Sequence, residues 1–121
     1  MDEFSDAYRK FILSIKNKFP NAKIVCVTGP MMNDSYPKGQ NHLTKIIKAT
    51  DKAVKGLKDV QRIDLTPQSA PFGEDFHPNL ETHRKLSEEF IRKLRWEIII
   101  FDNIPVLHKK GEKYKLKFPK I

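Results

Sequence analysis

Cysteine is almost missing from these 121 residues: the single Cys26 stands inside an apolar run. One thiol cannot close an internal disulfide, so the fold must be held by burial and hydrogen bonding, and Cys26 reads as a small core residue. Long apolar runs are missing too. Nothing approaches the roughly 20 apolar residues of a membrane-crossing helix, so no membrane partner is expected. Met1-Asp2-Glu3-Phe4 leads straight into structure, without a charged-then-apolar signal peptide. Metal-ligand spacings are also wanting. Four histidines occur, yet there is no His-Glu-x-x-His and no Cys-x-x-Cys, and His77 and His83 lie six apart across a loop and a helix start. Neither a metal nor another cofactor is expected.

What is present belongs to a folded protein. Hydrophobic residues make up 39% and charged residues 31%, which excludes the disordered and membrane-spanning classes and leaves one domain or part of one. The net charge of +8 raises the question of nucleic acid, and its location answers it. Residues 108–121 carry six lysines and one glutamate, so the rest of the chain holds only +3. The aromatic residues follow core periodicity and form no stacking platform. Nucleic acid is therefore not the expected partner of the domain proper, although the tail leaves a polyanion-binding module as an alternative reading.

The hydrophobic pattern predicts helix, strand, helix, strand, helix, tail. Phe4, Ala7, Tyr8, Phe11, Ile12, Ile15 and Phe19 recur at steps of three and four, which predicts a helix over residues 5–18 with these side chains on one stripe. Residues 23–28 contain Ile-Val-Cys-Val without alternation, the pattern of a strand covered on both faces. A second helix is expected over residues 42–57, with Leu43, Ile46, Ile47, Thr50, Ala53, Val54 and Leu57 inward. Val60, Ile63 and Leu65 then mark a short strand from which Asp64 points the other way. A third helix is expected over residues 80–94, with His83, Leu86 or Ser87, Phe90, Ile91 and Leu94 inward. His83 on that stripe reads as a core histidine bracing the preceding loop. Such alternation predicts an α/β fold with a parallel sheet. Two strands leave edges unpaired and helix faces uncovered, so these residues are expected to form part of a larger fold.

After Arg95 the character changes. Trp96-Glu97-Ile98-Ile99-Ile100-Phe101 is strongly apolar, Pro105 interrupts the next run, and Lys109-Lys110-Gly111-Glu112 reads as a turn before the alternation of residues 114–118. An added strand and hairpin fits this segment, and so does foreign sequence. The division expected is residues 1–95 as one body and 96–121 as an apolar strand with a lysine-rich tail.

The stretch with chemistry in it is Gly73-Glu74-Asp75-Phe76-His77-Pro78-Asn79, running into Leu80-Glu81-Thr82-His83. Two acids stand three and two residues before an imidazole, a proline restricts the backbone after it, and an asparagine can cap the next helix. A histidine acting as base needs one ring nitrogen fixed so that the other is free. The plainer reading is a helix N-terminus with acids at the positive end of its dipole.

Together with Gly29-Pro30-Met31 after an apolar strand and Phe19-Pro20-Asn21-Ala22-Lys23-Ile24 before it, this block resembles the C-terminal part of an SGNH (GDSL-type) hydrolase. It is most similar to the carbohydrate O-acetyl esterases of carbohydrate esterase family two. The resemblance covers residues 4–95 and is most specific over residues 73–83. It implies a partial three-layer α/β/α, flavodoxin-like fold and an acetylated carbohydrate as substrate of the complete enzyme. It implies that His77 is the catalytic histidine, with Glu74 at the superfamily's aspartate position and Asp75 at that of the acetyl esterase branch; some members orient the histidine through a backbone carbonyl instead. It also places Gly29 and Met31 near the substrate cleft, with Met32 beside them and Phe76 as the block's aromatic, while methionines in a loop also serve as gap fillers. The family is often secreted, and the compartment of this chain stays open.

The family's Gly-Asp-Ser nucleophile block and its Gly-x-Asn-Asp block do not occur here. Serines are found only at positions 5, 14, 35, 69 and 87, none after Gly-Asp, and Asn33-Asp34 follows the Gly29-Pro30 loop instead of preceding the first helix. The expectation is a C-terminal part that carries the histidine without its nucleophile and is inactive alone, completed by an N-terminal half or an oligomer. The alternatives are an intact small hydrolase using Ser35 or Ser69, and the basic interaction module.

Overall fold

Four of the five residues of β1 (Ile24–Thr28) are β-branched, which suits them to a pleated, covered strand. β1 pairs in parallel with β2 (Val60–Asp64), in a register that places Ile24 beside Val60 and Thr28 beside Asp64. The computed structural model describes residues 2–111; residues 114–118 and most of the lysine-rich tail lie outside the described residues. A parallel pair needs a crossover, supplied by α2 (His42–Val54). α1 (Asp2–Lys18) precedes β1 and α3 (Leu80–Lys93) follows β2.

Two-residue periodicity sorts the layers. Cys26 and Val60 share one face of the sheet and pack against Ile12 of α1, with Tyr8, Ile24, Val54 and Leu57 around them. From that face Arg62 reaches Asp51 of α2 at 2.8 Å. Gln61 and Ile63 point to the other face, where the Gln61 amide donates to the Lys93 carbonyl at 2.6 Å and accepts from the Arg95 amide at 2.9 Å. Helices thus flank both faces of a parallel sheet, the α/β arrangement that the residue pattern predicts.

α1 and α2 approach closely because small residues line their contact. Ser5 donates from Oγ to the Ala49 carbonyl at 2.9 Å, and Ala49 and Ala53 are buried. Arg9 donates to the Ala53 and Lys55 carbonyls, satisfying acceptors that a helix C-terminus otherwise leaves open. α2 starts at Asn41, whose side chain makes no capping bond. Asp34 caps it from a distance, accepting from the Thr44 amide at 2.8 Å and its hydroxyl at 2.5 Å, and these bonds hold the Asp34 carboxyl below its ordinary range.

The predicted helix faces need correction. The buried side of α1 is Ser5, Tyr8, Arg9, Ile12 and Ile15, whereas Phe4, Ala7, Phe11 and Phe19 are exposed. The apolar residues span two faces, and only one is covered by the sheet and α2. On α3, His83 and Ile91 are exposed and the buried residue is Glu89. His83 is not a core histidine. α2 ends at Val54, and Leu57 packs from the turn beyond it.

β3 (Trp96–Phe101) and β4 (Ile104–Lys109) form an antiparallel hairpin. Its loop is Asp102-Asn103, both residues at positive φ as a tight two-residue hairpin requires. The hairpin reversal therefore falls at residues 102–103, a further turn follows at Lys110-Gly111, and Pro105 lies within β4. Trp96 is buried, and the Lys23 ammonium, paired with Asp59 at 2.9 Å, sits 5.8 Å from the centre of its ring.

Ile12 is 1% exposed at the centre of this core. Ile12→Ala should lower unfolding stability by about 2–5 kcal/mol, read as a shift of the urea midpoint with little change in slope.

Candidate functional site

The pairing of β1 with β2 continues beyond both strands. The Leu65 amide donates to the Thr28 carbonyl at 3.0 Å, and the Gln68 amide to the Pro30 carbonyl at 2.8 Å. The segment after β2 therefore tracks along the Gly29–Pro30 turn, at the C-terminal end of the sheet where α/β proteins place their sites. Thr28 and Asp64 close the strand ends with a 2.9 Å hydroxyl-carboxylate hydrogen bond.

The segment then folds back on itself. The Gly73 amide donates to the His77 carbonyl at 2.7 Å and the His77 amide to the Glu74 carbonyl at 2.9 Å. A β-carbon at position 73 would lie 3.3 Å from the carbonyl oxygens of both His77 and Pro78, so the close approach calls for glycine. Within this ring Asp75 and Phe76 adopt left-handed backbone conformations, φ 51° and 60°. Asn79 anchors both sides of the loop: its carbonyl accepts from the Thr82 amide, capping α3, and its amide donates to the Pro71 carbonyl, each at 2.8 Å.

His77 is exposed, and its Nδ1 lies 3.0 Å from the Glu74 carbonyl oxygen. A carbonyl only accepts, so the hydrogen bond requires the proton on Nδ1. The neutral ring then carries its lone pair on Nε2, the state a general base needs. No hydrogen bond joins the imidazole to the carboxylates of Glu74 or Asp75 among the described residues. Of the three orienting groups the sequence leaves open, the geometry provides the backbone carbonyl.

Phe76 is 73% exposed and meets Phe72 edge-on at 5.9 Å. Gly29 and Met31 line a different feature, an apolar cavity of about 460 Å³ beside Phe4, Tyr8 and Ile46. Burial, reinforced by a hydrogen bond with Cys26, pushes the Tyr8 phenol up to about 12. A second cavity of about 450 Å³ lies between residues 66–71 and α3, with Lys85, Glu88 and Arg92 on its wall. Neither cavity is lined by His77. The structure thus gathers Glu74, Asp75, Phe76 and His77 on one loop and places Gly29 and Met31 on the neighbouring one.

Neither Ser35 nor Ser69 is hydrogen-bonded to His77 among the described residues. Ser35 donates its hydroxyl proton to the Asn33 side-chain oxygen at 2.9 Å, and Ser69 faces the α3 cavity. Asn33 Oδ1 also accepts from the Ser35 and Tyr36 amides, so this side chain shapes its own turn. Among the described residues no group of three or more His, Cys, Asp or Glu side chains is placed to hold a metal ion, and no helix is long and apolar enough to cross a membrane.

Two further residues position the loop. Glu89 is buried and accepts from the Thr66 amide at 2.8 Å, the Thr66 hydroxyl at 2.6 Å and the Lys93 ammonium at 3.1 Å. The segment is thereby fastened to α3 near its start, at Thr66. Gln68 donates from Nε2 to the Phe76 carbonyl at 2.5 Å. The Glu89 contact had a sequence signal, since Leu86, Glu89, Phe90 and Lys93 put a carboxylate on the apolar stripe. Nothing in the spacing singles out Gln68.

No protein-family model matches the chain. It is 28% identical over 101 residues to the cellulase/esterase CelE of Acetivibrio thermocellus, an alignment covering 78% of this chain and 12% of that protein. Its fold is similar to the crystal structure of a carbohydrate esterase family 2 enzyme with a carbohydrate-binding domain from Corynascus thermopiles (Myceliophthora fergusii). The TM-score is 0.68 at 29% identity, over 73% of this chain and 27% of that one. The chain therefore spans about a quarter or less of these relatives. The resemblance to the SGNH carbohydrate esterases read from residues 4–95 is borne out in both sequence and fold, and the chain has the α/β, parallel-sheet architecture of its structural neighbour.

Burial alone would raise the Glu89 carboxyl, but the Thr66 hydroxyl and amide together with Lys93 outweigh it and hold the group below its ordinary value of 4.5. A depressed folded-state value means that the stabilisation is complete above 4.5 and is lost as pH falls through the lower, folded-state value. The urea midpoint of Glu89→Gln should therefore fall below wild type at pH 7, and the gap should shrink as pH drops below about 4.5. A gap independent of pH would mean that the carboxylate charge does not hold Thr66.

Proposed function

We propose that this chain is the C-terminal part of an SGNH carbohydrate O-acetyl esterase, with His77 as its general base. The observation that carries the reading is the 3.0 Å contact from His77 Nδ1 to the Glu74 carbonyl, which in the neutral ring puts the lone pair on Nε2, on an exposed loop at the end of a parallel sheet. Acetylated sugars are the proposed substrate class, because the two similar proteins are described as a cellulase/esterase and a carbohydrate esterase.

In the complete enzyme, Nε2 of His77 takes the proton of a serine hydroxyl as its oxygen attacks the acetyl carbonyl. The imidazolium then gives that proton to the departing sugar oxygen, which leaves as a free hydroxyl, and an acetyl-serine remains. Water, deprotonated by the same nitrogen, releases acetate and restores the serine. The serine and the oxyanion donors belong to the Gly-Asp-Ser and Gly-x-Asn-Asp blocks that these 121 residues lack. Without them the base has nothing to activate and the developing oxyanion nothing to stabilise it, so the chain by itself is proposed to be inactive.

Glu74 takes part through its main-chain carbonyl, and Asp75 and Phe76 through the left-handed turn that aims the ring. Gly29, Met31 and Phe76 are the proposed substrate-facing residues. The partner is a polypeptide segment that supplies the nucleophile and covers the apolar side chains left exposed on α1 and β1, among them Phe11 and Val27; a second copy would cover them in an oligomer.

The purified chain should hydrolyse p-nitrophenyl acetate no faster than buffer. Robust turnover lost on His77→Ala would overturn the proposed inactivity. Residues 4–95 grafted in place of the matching segment of the family 2 esterase should give an active enzyme that loses at least about 10³-fold in kcat/KM on His77→Ala. An active graft indifferent to that change would sink the assignment of His77. In the same graft Glu74→Gln should stay within about tenfold of the parent, because the substitution keeps the carbonyl that holds the ring.

A further inference from the structure

We propose that Gln68 is a positioning residue for His77, transmitting the end of β1 to the imidazole through two hydrogen bonds from one residue. This inference rests on the reading of His77 as general base. The Gln68 main chain donates to the Pro30 carbonyl at 2.8 Å, which registers it on the turn leaving β1, and its side-chain Nε2 donates to the Phe76 carbonyl at 2.5 Å. The carbonyl of Phe76 belongs to the peptide plane that also contains the His77 amide. That amide donates to the Glu74 carbonyl at 2.9 Å, the same oxygen that Nδ1 of the ring reaches at 3.0 Å. Fixing the direction of the Phe76 carbonyl therefore fixes the amide and, with it, the acceptor of the ring proton.

The position needs such a brace. Phe76 is a bulky residue at φ 60°, beside Asp75 at φ 51°, and left-handed conformations are unfavourable for side chains of this kind. Phe76 is mostly exposed, with its ring edge-on to Phe72, so burial does little to hold it there. The Gln68 amide also shows which of its ends matters. Its Oε1 is buried and has no hydrogen-bond partner among the described residues, whereas its NH2 faces the Phe76 carbonyl. A flipped amide would set two oxygens against each other, so the orientation follows from the donor function.

The test is NMR of the imidazole nitrogens of the whole chain labelled with 15N-histidine, with the His77 signal identified by its loss in His77→Gln. Above the histidine titration, wild type should show His77 predominantly as the Nδ1–H tautomer. Gln68→Met keeps the length and removes the donor; Gln68→Glu keeps the shape and turns an acceptor toward the Phe76 carbonyl. Each should lower the Nδ1–H to Nε2–H ratio by about fivefold or more, the equivalent of one net hydrogen bond, with the far-UV circular dichroism of wild type. A wild-type ratio in either folded variant overturns the proposal. Loss of the folded signal in both variants also overturns it, by assigning Gln68 to the stability of the domain instead of the loop. Esterase activity of the graft tests the role of His77 separately, so a failure of Gln68 leaves the reading of His77 standing.

Discussion

The parallel pairing of β1 with β2 does not stop where the strands do, and the site depends on that continuation. Thr28 accepts from Leu65, and Pro30 accepts from Gln68. Two loops that would otherwise diverge are held side by side for several residues past the sheet. Everything that presents His77 is built on this run: Glu89 fastens Thr66 to α3, Gln68 reaches the Phe76 carbonyl, and Asn79 ties the return to Pro71 while starting α3. An exposed histidine is thereby anchored to two elements of regular structure, and its own carbonyl and amide close the ring from Gly73 to Glu74.

Such a loop suits a general base. A histidine oriented by a carboxylate gains charge stabilisation when it becomes imidazolium, whereas one oriented by a peptide carbonyl gains mainly a fixed tautomer and direction. The backbone acceptor also makes this hydrogen bond independent of the side chain at position 74. Backbone strain at Asp75 and Phe76 is the local cost of turning the chain tightly enough for the ring to find that carbonyl.

The core tells a complementary story about incompleteness. Ile12, Cys26, Val60 and Ile63 are buried, yet Phe11 and Phe19 are 62% exposed and Val27 of β1 is 46% exposed. A parallel strand is ordinarily covered on both faces. These side chains lie on the parts of α1 and β1 that α2, β2 and α3 do not reach, in a chain that covers 27% of its structural neighbour. The exposed apolar surface fits a chain that spans only part of the fold to which it is similar.

The sequence by itself determined the alternation of helices and strands, the parallel α/β class and the position of the loop with His77 before α3, because periodicity and caps are local properties. The inward face of α2 was legible for the same reason. The inward faces of α1 and α3 were not: Phe11, His83 and Ile91 match a helical stripe, but burial depends on which neighbours arrive, and too few do. Only the tertiary structure decided what orients the imidazole. Glu74 and Asp75 were equally placed in sequence, and the choice of a carbonyl follows from two left-handed residues whose conformation is held from Gln68, brought there by pairing between segments about 40 residues apart. That is a long-range constraint on peptide direction, which no local residue pattern encodes.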